Sequence, residues 1–230
     1  MISPRRWPSL FGLVSAVIVA ACSGESRPAA DTSTGISATV SGTAPTTVGK
    51  PASTPPRSPD RYRVAFETSK GRFVVDVTRD LAPLAADRFY EMVNAGYFTD
   101  VRFFRVVPGF VAQFGMHGDP DVNELWEKAT LADEPMKTSN TRGTVSFATA
   151  GPNTRANQLF VSVGDNSGVL DPQGFAPFGS VSEGLAVVDS LNAEYGEESN
   201  NQSRIASQGN EYLGKWFPAL DYVKSAKIVP

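Results

Sequence analysis

The chain has 230 residues, of which 41% are hydrophobic and 20% are charged. This length and composition suffice for one well-packed core, so we expect one or at most two domains. A formal net charge of -3 and a pI near 5.3 exclude the basic excess that is typical of nucleic-acid-binding proteins, so no nucleic-acid partner is expected.

Residues 1–22 have the pattern of a lipoprotein-type signal peptide. Arg5 and Arg6 form a basic start, and the apolar run over residues 10–21 is too short to span a bilayer, which needs about 20 residues. The run ends in Val-Ala-Ala-Cys, which resembles a bacterial lipoprotein cleavage box, so Cys22 is the predicted lipidation site. The alternative is an ordinary secretory signal beside a chance cysteine.

Cys22 is the only cysteine, so no intrachain disulfide can form. Acyl chains on this thiol would anchor an exported protein to a membrane. The next residue is Ser23 and not Asp, which by resemblance to the usual sorting pattern favours an outer membrane. We therefore expect the protein in the cell envelope, with the outer membrane or the periplasmic side favoured.

Residues 23–60 consist mostly of Ser, Thr, Pro, Ala and Gly, with almost no large apolar side chain. Such a composition cannot offset the entropy lost on ordering, so a disordered tether is predicted. A flexible chain of about 38 residues spans roughly 30–40 Å between its ends. This length would hold the predicted folded domain, residues 61–230, clear of a lipid surface.

Alternating apolar runs at residues 63–68 and 72–77, joined through Gly71, predict a β-hairpin. A helical period predicts two helices, at residues 81–94 and 182–191. Several short strands with turn signals and only two convincing helices favour a mostly β, antiparallel barrel.

The C-terminal part begins with a polar stretch at residues 194–208, for which the sequence suggests no function. A short helix is predicted at residues 209–217 and a final strand at residues 222–229.

Two stretches carry the candidate chemistry. Residues 101–113, VRFFRVVPGFVAQ, place Arg105 in an apolar run that is broken only by Pro108 and Gly109, where a solvated strand would alternate apolar with polar residues. Residues 143–161, GTVSFATAGPNTRANQLFV, contain two strand-like runs around a loop rich in Gly, Pro, Asn and Thr. A cation against an apolar wall predicts a functional site.

These stretches resemble two motifs of the cyclophilins, a family of peptidyl-prolyl cis-trans isomerases. The family patterns F-H-R-V-x-P-G-F-x-x-Q and A-x-A-G-P-N-T-x-x-S-Q-F-F match residues 103–113 and 148–160. The likeness runs from about Tyr62 to near the C-terminus. It implies a closed eight-stranded antiparallel β-barrel with two capping helices. It also implies an isomerase that accelerates folding of exported proteins at X-Pro bonds, acts on proline-containing polypeptide segments and is a monomer.

Rotation about an X-Pro bond must overcome a barrier of about 18–20 kcal/mol, because amide resonance is lost on the way. The reaction needs no nucleophile, metal or cofactor, and none is predicted. An apolar pocket and a donor to the prolyl nitrogen suffice, and Arg105 is a donor that stays charged.

The resemblance assigns the remaining roles. Arg105 and Gln113 are the expected catalytic residues. The expected substrate-binding residues are the proline pocket (Phe110, Val111, Phe160, Leu170), the peptide-pairing strand (Ala148, Thr149), Gln158, and three positions that depart from the family pattern. These departures are Phe104 and Phe175, where many members have His, and Val169, where many have Trp.

Alternative interpretations remain at this stage. The apolar residues could be ordinary core, and Arg105 could form a surface salt bridge. The groove could also serve a proline-peptide-binding chaperone or assembly module, with turnover incidental. His117 is the only histidine and has no cysteine partner beyond Cys22, so a zinc site or a Cys-His nucleophile is not expected.

Overall fold

The computed structural model describes residues 48–230. Over this range the chain forms a mostly β domain. Its elements, in chain order, are β1 (Arg61–Thr68), β2 (Arg72–Thr78), α1 (Pro83–Asn94), β3 (Arg105–Val107), β4 (Val111–Phe114), α2 (Pro120–Glu127), β5 (Thr144–Phe147), β6 (Leu159–Ser162), α3 (Ser167–Leu170), β7 (Pro177–Glu183), α4 (Leu185–Asp189), α5 (Gln202–Trp216) and β8 (Val223–Val229).

The eight strands form one antiparallel sheet in the order β3-β4-β6-β5-β7-β2-β1-β8. The predicted antiparallel arrangement of eight strands is confirmed, but the prediction of a closed barrel is wrong, because the sheet is a curled half-barrel with β3 and β8 at its edges. In the described residues these edges meet through one isolated bridge, between Arg102 and Tyr222, and adjacent backbone hydrogen bonds. The bridge lies before both strands, and no ladder continues from it into β3, which is only three residues long.

The two predicted helices fared differently. The helix predicted at residues 81–94 is confirmed as α1, with Pro83 in its first turn. The helix predicted at residues 182–191 is reduced to α4, because β7 continues to Glu183. Gly184 separates the two elements with φ of 74°, and a Cβ there would lie 2.3 Å from the carbonyl oxygen of Arg72. This close approach of two backbones requires glycine.

The main core lies between the concave face of the sheet and α1. It is rich in phenylalanine: Phe66 stacks on Phe73 with ring centroids 4.9 Å apart, and Phe89 lies 5.1 Å from Phe178. Each fully buried phenylalanine contributes roughly 1.5–3 kcal/mol relative to exposure. This packing makes the sheet a rigid support for the side chains at its β3 edge.

A second apolar cluster lies under α5, and we call it the covered cluster. Its core residues are Phe104, Met116, Ile205, Tyr212, Leu213 and Leu220. The sequence predicted helix only from residue 209, whereas α5 begins at residue 202. Gly209 interrupts the helix with φ of 53°, which breaks the apolar period that would have indicated one continuous element.

Residues 48–60, which the composition assigns to the tether, contain no helix or strand but contact α1 and α2. The Trp126 indole nitrogen donates to the Gly49 carbonyl oxygen at 3.0 Å, and buried Ser58 donates through its amide and hydroxyl to Asp87. The proposed signal segment, Cys22 and the rest of the tether lie outside the described residues. Within residues 48–230, no helix combines the length and the apolar character needed to span a bilayer.

Candidate active site

Strand register brings three predicted site residues together at the edge of the sheet. Arg105 on β3 pairs with Gln113 on β4, and Gln113 pairs in turn with Phe160 on β6. Residues directly opposite each other on neighbouring antiparallel strands share a face and have Cβ atoms about 4.5–5.5 Å apart. The tight β3–β4 connection, in which Gly109 adopts φ of 73°, fixes this register.

A pocket of about 280 Å³ lies on this face. Its apolar wall is a third cluster, which we call the open cluster: Val111, Phe160 and Leu170, with Phe110, Ala148 and Phe175 packed against them. The rings of Phe160 and Phe175 meet edge to face with centroids 5.5 Å apart. The wall is apolar and its side chains pack against one another, which suits contact with a small apolar ring.

Arg105 lies at the mouth of this pocket. Its guanidinium carbon is 5.4 Å from the centroid of the Phe110 ring, within the range of a cation–π contact. Nη1 donates to Oε1 of Gln113 at 3.2 Å, and Nε2 of Gln113 donates to Oε1 of Gln158 at 2.9 Å. The Arg105 side chain is 18% exposed, so one part of it faces solvent while the remainder is held by protein.

A carboxylate also holds Arg105, and it comes from the polar stretch that had no predicted function. Nε of Arg105 lies 2.9 and 2.8 Å from the two oxygens of Glu197, and Nη2 lies 2.6 Å from Oε1. These hydrogen bonds from Arg105 lower the pKa of Glu197. The pair is therefore a charge-assisted, two-point contact.

Amide side chains close a ring around this pair. Nε2 of Gln158 donates to Oε1 of Gln202 at 3.0 Å, Nε2 of Gln202 donates to Oδ1 of Asn200 at 3.2 Å, and Nδ2 of Asn200 donates to Oε2 of Glu197 at 3.3 Å. Gln158 also accepts from Gln113, which itself accepts from Arg105, so the hydrogen bonds form a closed ring that includes the Arg105–Glu197 pair. Each member is thereby oriented by two neighbours.

A second pocket of about 280 Å³ lies beside the first. Gln113, Ala148, Thr149 and Gln202 line both pockets. Glu127 is the charged residue among those that line the second pocket. The two pockets are therefore adjacent and share part of their lining.

The family model described as cyclophilin type peptidyl-prolyl cis-trans isomerase/CLD matches residues 63–209, which is more than half of the chain. The chain belongs to this cyclophilin family. A peptidyl-prolyl cis-trans isomerase of Acinetobacter baylyi is 32% identical over 138 residues, covering 56% of this chain and 70% of the relative. Peptidyl-prolyl cis-trans isomerase B of Escherichia coli is 30% identical over 136 residues, covering 56% and 82%. The protein is thus a cyclophilin peptidyl-prolyl cis-trans isomerase, of class EC 5.2.1.8.

A solved structure shares the fold. A cyclophilin type isomerase of Cryptosporidium parvum superposes with a TM-score of 0.55 at 18% identity, over 74% of this chain and 98% of that one. The half-barrel with its helices is therefore a cyclophilin-like fold.

In this cyclophilin, most of the predicted site residues lie together. Those that line the first pocket are Arg105, Phe110, Val111, Gln113, Ala148, Thr149, Phe160, Leu170 and Phe175. Gln158 lines the neighbouring pocket.

Phe104 and Val169 do not line either pocket. Phe104 is fully buried in the covered cluster, because neighbouring residues of an extended chain point to opposite faces, so Arg105 and Phe104 cannot share one. Val169 lies on α3 and is 54% exposed.

Four further residues belong to the site and were not predicted from the sequence: Glu197, Asn200, Gln202 and, on the pocket wall, Gln173. No local signal distinguishes Glu197 from the other glutamates of the polar stretch at residues 194–208.

Proposed function

We propose that this cyclophilin accelerates rotation about X-Pro bonds by a hydrogen bond from Arg105 to the prolyl amide of a chain seated in the open cluster. One observation carries the proposal: a guanidinium that is oriented by protein contacts lies at the mouth of a pocket with an apolar wall. The apolar wall, Val111, Phe160 and Leu170, would take the proline ring and exclude water from the amide.

The magnitudes are consistent with this division of labour. A hydrogen bond from a charged donor contributes about 1.5–3 kcal/mol net, and each 1.36 kcal/mol is tenfold in rate. Arg105 can therefore supply about one to two decades when its bond strengthens as the amide twists. Desolvation by the pocket disfavours the charge-separated resonance form of the amide and supplies the remainder.

For the substrate, we propose proline-containing segments of exported proteins. A solved cyclophilin type isomerase of Cryptosporidium parvum, similar with a TM-score of 0.53, was crystallised in the presence of the dipeptide Ala-Pro. The signal pattern of residues 1–22 supports export, and Cys22 supports a lipid anchor in the cell envelope. We propose that the enzyme acts there as a monomer.

The test is a protease-coupled assay with a proline-containing peptide, on the chain from residue 23 onward. We expect Arg105→Ala to lower kcat/KM about 10- to 100-fold. Arg142→Ala is the matched control, because Arg142 also forms an ion pair with a carboxylate, that of Asp189, but does not line the pocket. This control should stay within about twofold of the native rate.

The outcome also separates the enzyme from a binding module. Peptide affinity, measured by calorimetry, should change little in Arg105→Ala while the rate falls. If Arg105→Ala isomerises the peptide at the native rate, the proposed mechanism is wrong. If the variant loses its rate and still supports growth of the native host as well as the unchanged protein, peptide binding is the working activity.

A further inference from the structure

The hydrogen-bond count at Arg105 suggests a role for Glu197. A guanidinium carries five N–H donors: one on Nε and two on each terminal nitrogen. In the described part of the chain, Glu197 takes the Nε donor and one Nη2 donor, and Gln113 takes one Nη1 donor. Two of the five donors, one on each terminal nitrogen, thus remain for a substrate. Glu197 holds one edge of the guanidinium and leaves the other edge available.

The chain segment that carries Glu197 is itself fixed to the body. Ser199 is buried and its hydroxyl donates to the Phe104 carbonyl oxygen at 2.7 Å, directly beside Arg105 in sequence. The Tyr195 ring packs on Phe217 with centroids 5.2 Å apart. Glu197 stands between these two attachments. A carboxylate held in this way restricts the arginine and is not a loose cover over it.

We propose that Glu197 is a positioning residue of this isomerase, which holds the Arg105 guanidinium in the plane and place where its two remaining N–H donors meet the prolyl amide. The inference rests on the proposed role of Arg105 and extends it to a residue that does not itself touch the reacting atoms. Without Glu197, Arg105 keeps its contact with Gln113 and its charge, but it regains rotamer freedom that must be lost again in each transition state.

The charges around the pair make the proposal testable by pH. Arg105 of β3 is the charged group that acts on Glu197 among the described residues, and the amide of Asn200 is the neutral partner on its own segment. Hydrogen bonds from Arg105 hold the pKa of Glu197 below its ordinary value of 4.5. The carboxylate is therefore charged at neutral pH, and the contact is lost only as the pH falls through this lowered pKa.

The experiment compares Glu197→Gln with Glu198→Gln in the protein from residue 23 onward. Both changes remove one negative charge at exposed, adjacent positions, but only Glu197 contacts Arg105. Exchange spectroscopy by NMR on a proline-containing peptide measures the rate without a coupling protease, so acidic pH is accessible. We expect Glu197→Gln to lower kcat about two- to tenfold with little change in KM, the scale set by fixing one long side chain. Glu198→Gln should match the native protein.

Two further readouts separate positioning from a general structural effect. The rate ratio of native protein to Glu197→Gln should be constant at neutral pH and approach one in acid, where native Glu197 becomes protonated. The Nε–H signal of Arg105 should shift and exchange faster with water in Glu197→Gln. A native or higher rate in Glu197→Gln, or a ratio that does not depend on pH, overturns the proposal.

The Arg105→Ala background distinguishes this proposal from the underlying one. There, Glu197→Gln should have no additional effect, because the group that it positions is gone. If Arg105→Ala alone leaves the rate unchanged, the proposed function fails. If Arg105→Ala lowers the rate and Glu197→Gln does not, only the positioning role fails.

Discussion

Phe104 and Arg105 are neighbours in sequence, yet they contribute to two apolar clusters with different fates. Phe104 is fully buried in the covered cluster, beneath α5. Arg105 borders the open cluster, whose wall of Phe110, Phe160 and their neighbours faces a pocket. The two clusters are similar in composition. The covered cluster is part of the core because α5 packs over it. The open cluster has no such helix and has a cation at its edge, and it forms the binding site.

The largest expected effect tests the covered cluster. We expect Phe104→Ala to lower the free energy of unfolding by about 3–5 kcal/mol, because a closed cavity remains where the ring was. Urea denaturation followed by fluorescence measures this change. The remaining folded protein should keep a kcat/KM close to native, because Phe104 does not line the pocket. A strong loss of rate in fully folded Phe104→Ala would mean that the two clusters are not independent.

A smaller change in stability and a larger change in activity are expected on the open side. We expect Phe160→Ala to cost about 1.5–3 kcal/mol of stability, because the space left by the ring opens to water and no closed cavity forms. Loss of the apolar contact with a proline ring should lower kcat/KM at least about tenfold. Activity per folded molecule at low urea separates the two effects. A native rate in Phe160→Ala would remove this residue from the site.

Four residues of the open cluster, Phe110, Val111, Ala148 and Phe160, lie in two continuous motifs, which is why the sequence indicated that they would lie together. Strand pairing within a short hairpin then brings Arg105 opposite Gln113 with little freedom. Phe104 was assigned to the site because it stands where many members of the family have His. Both faces of its segment are apolar, so the side-chain period did not indicate that it would point away from the site.

The extent of α5 and the contact between Glu197 and Arg105 were not predictable in the same way. Glu197 meets Arg105 across 92 positions of sequence, and a polar residue in a polar run carries no local sign of such a partner. The full length of α5 was not predicted, because Gly209 interrupts its apolar period. The prediction of a closed barrel was wrong for a related reason. Closure depends on whether β3 and β8 pair along a full ladder, and these strands are far apart in the chain.

The smallest expected effect concerns His117, which is packed on Tyr97 near the covered cluster. Burial lowers the pKa of His117 below its ordinary value of 6.5, against the opposing effect of Asp119 and Asp100. The amide of Asp119 donates to Nδ1 of His117 at 3.0 Å, which suits the neutral ring. Below about pH 6.5, His117 is therefore protonated in the unfolded chain while it is still neutral in the folded protein. The free energy of unfolding falls as the pH drops through this range.

Urea midpoints at pH 7.5 and 5.5 should accordingly differ more for the native protein than for His117→Gln, which cannot take up that proton. Because His117 is the only histidine, the difference between the midpoint changes of the two proteins reports this one group. The isomerase rate of the folded protein should not follow the same pH dependence, since His117 lines neither pocket. An equal change in midpoint for the two proteins would show that the imidazole is as well solvated in the folded protein as in the unfolded chain. A rate that tracks the His117 titration would instead link the covered side to catalysis, and the division between the two clusters would no longer hold.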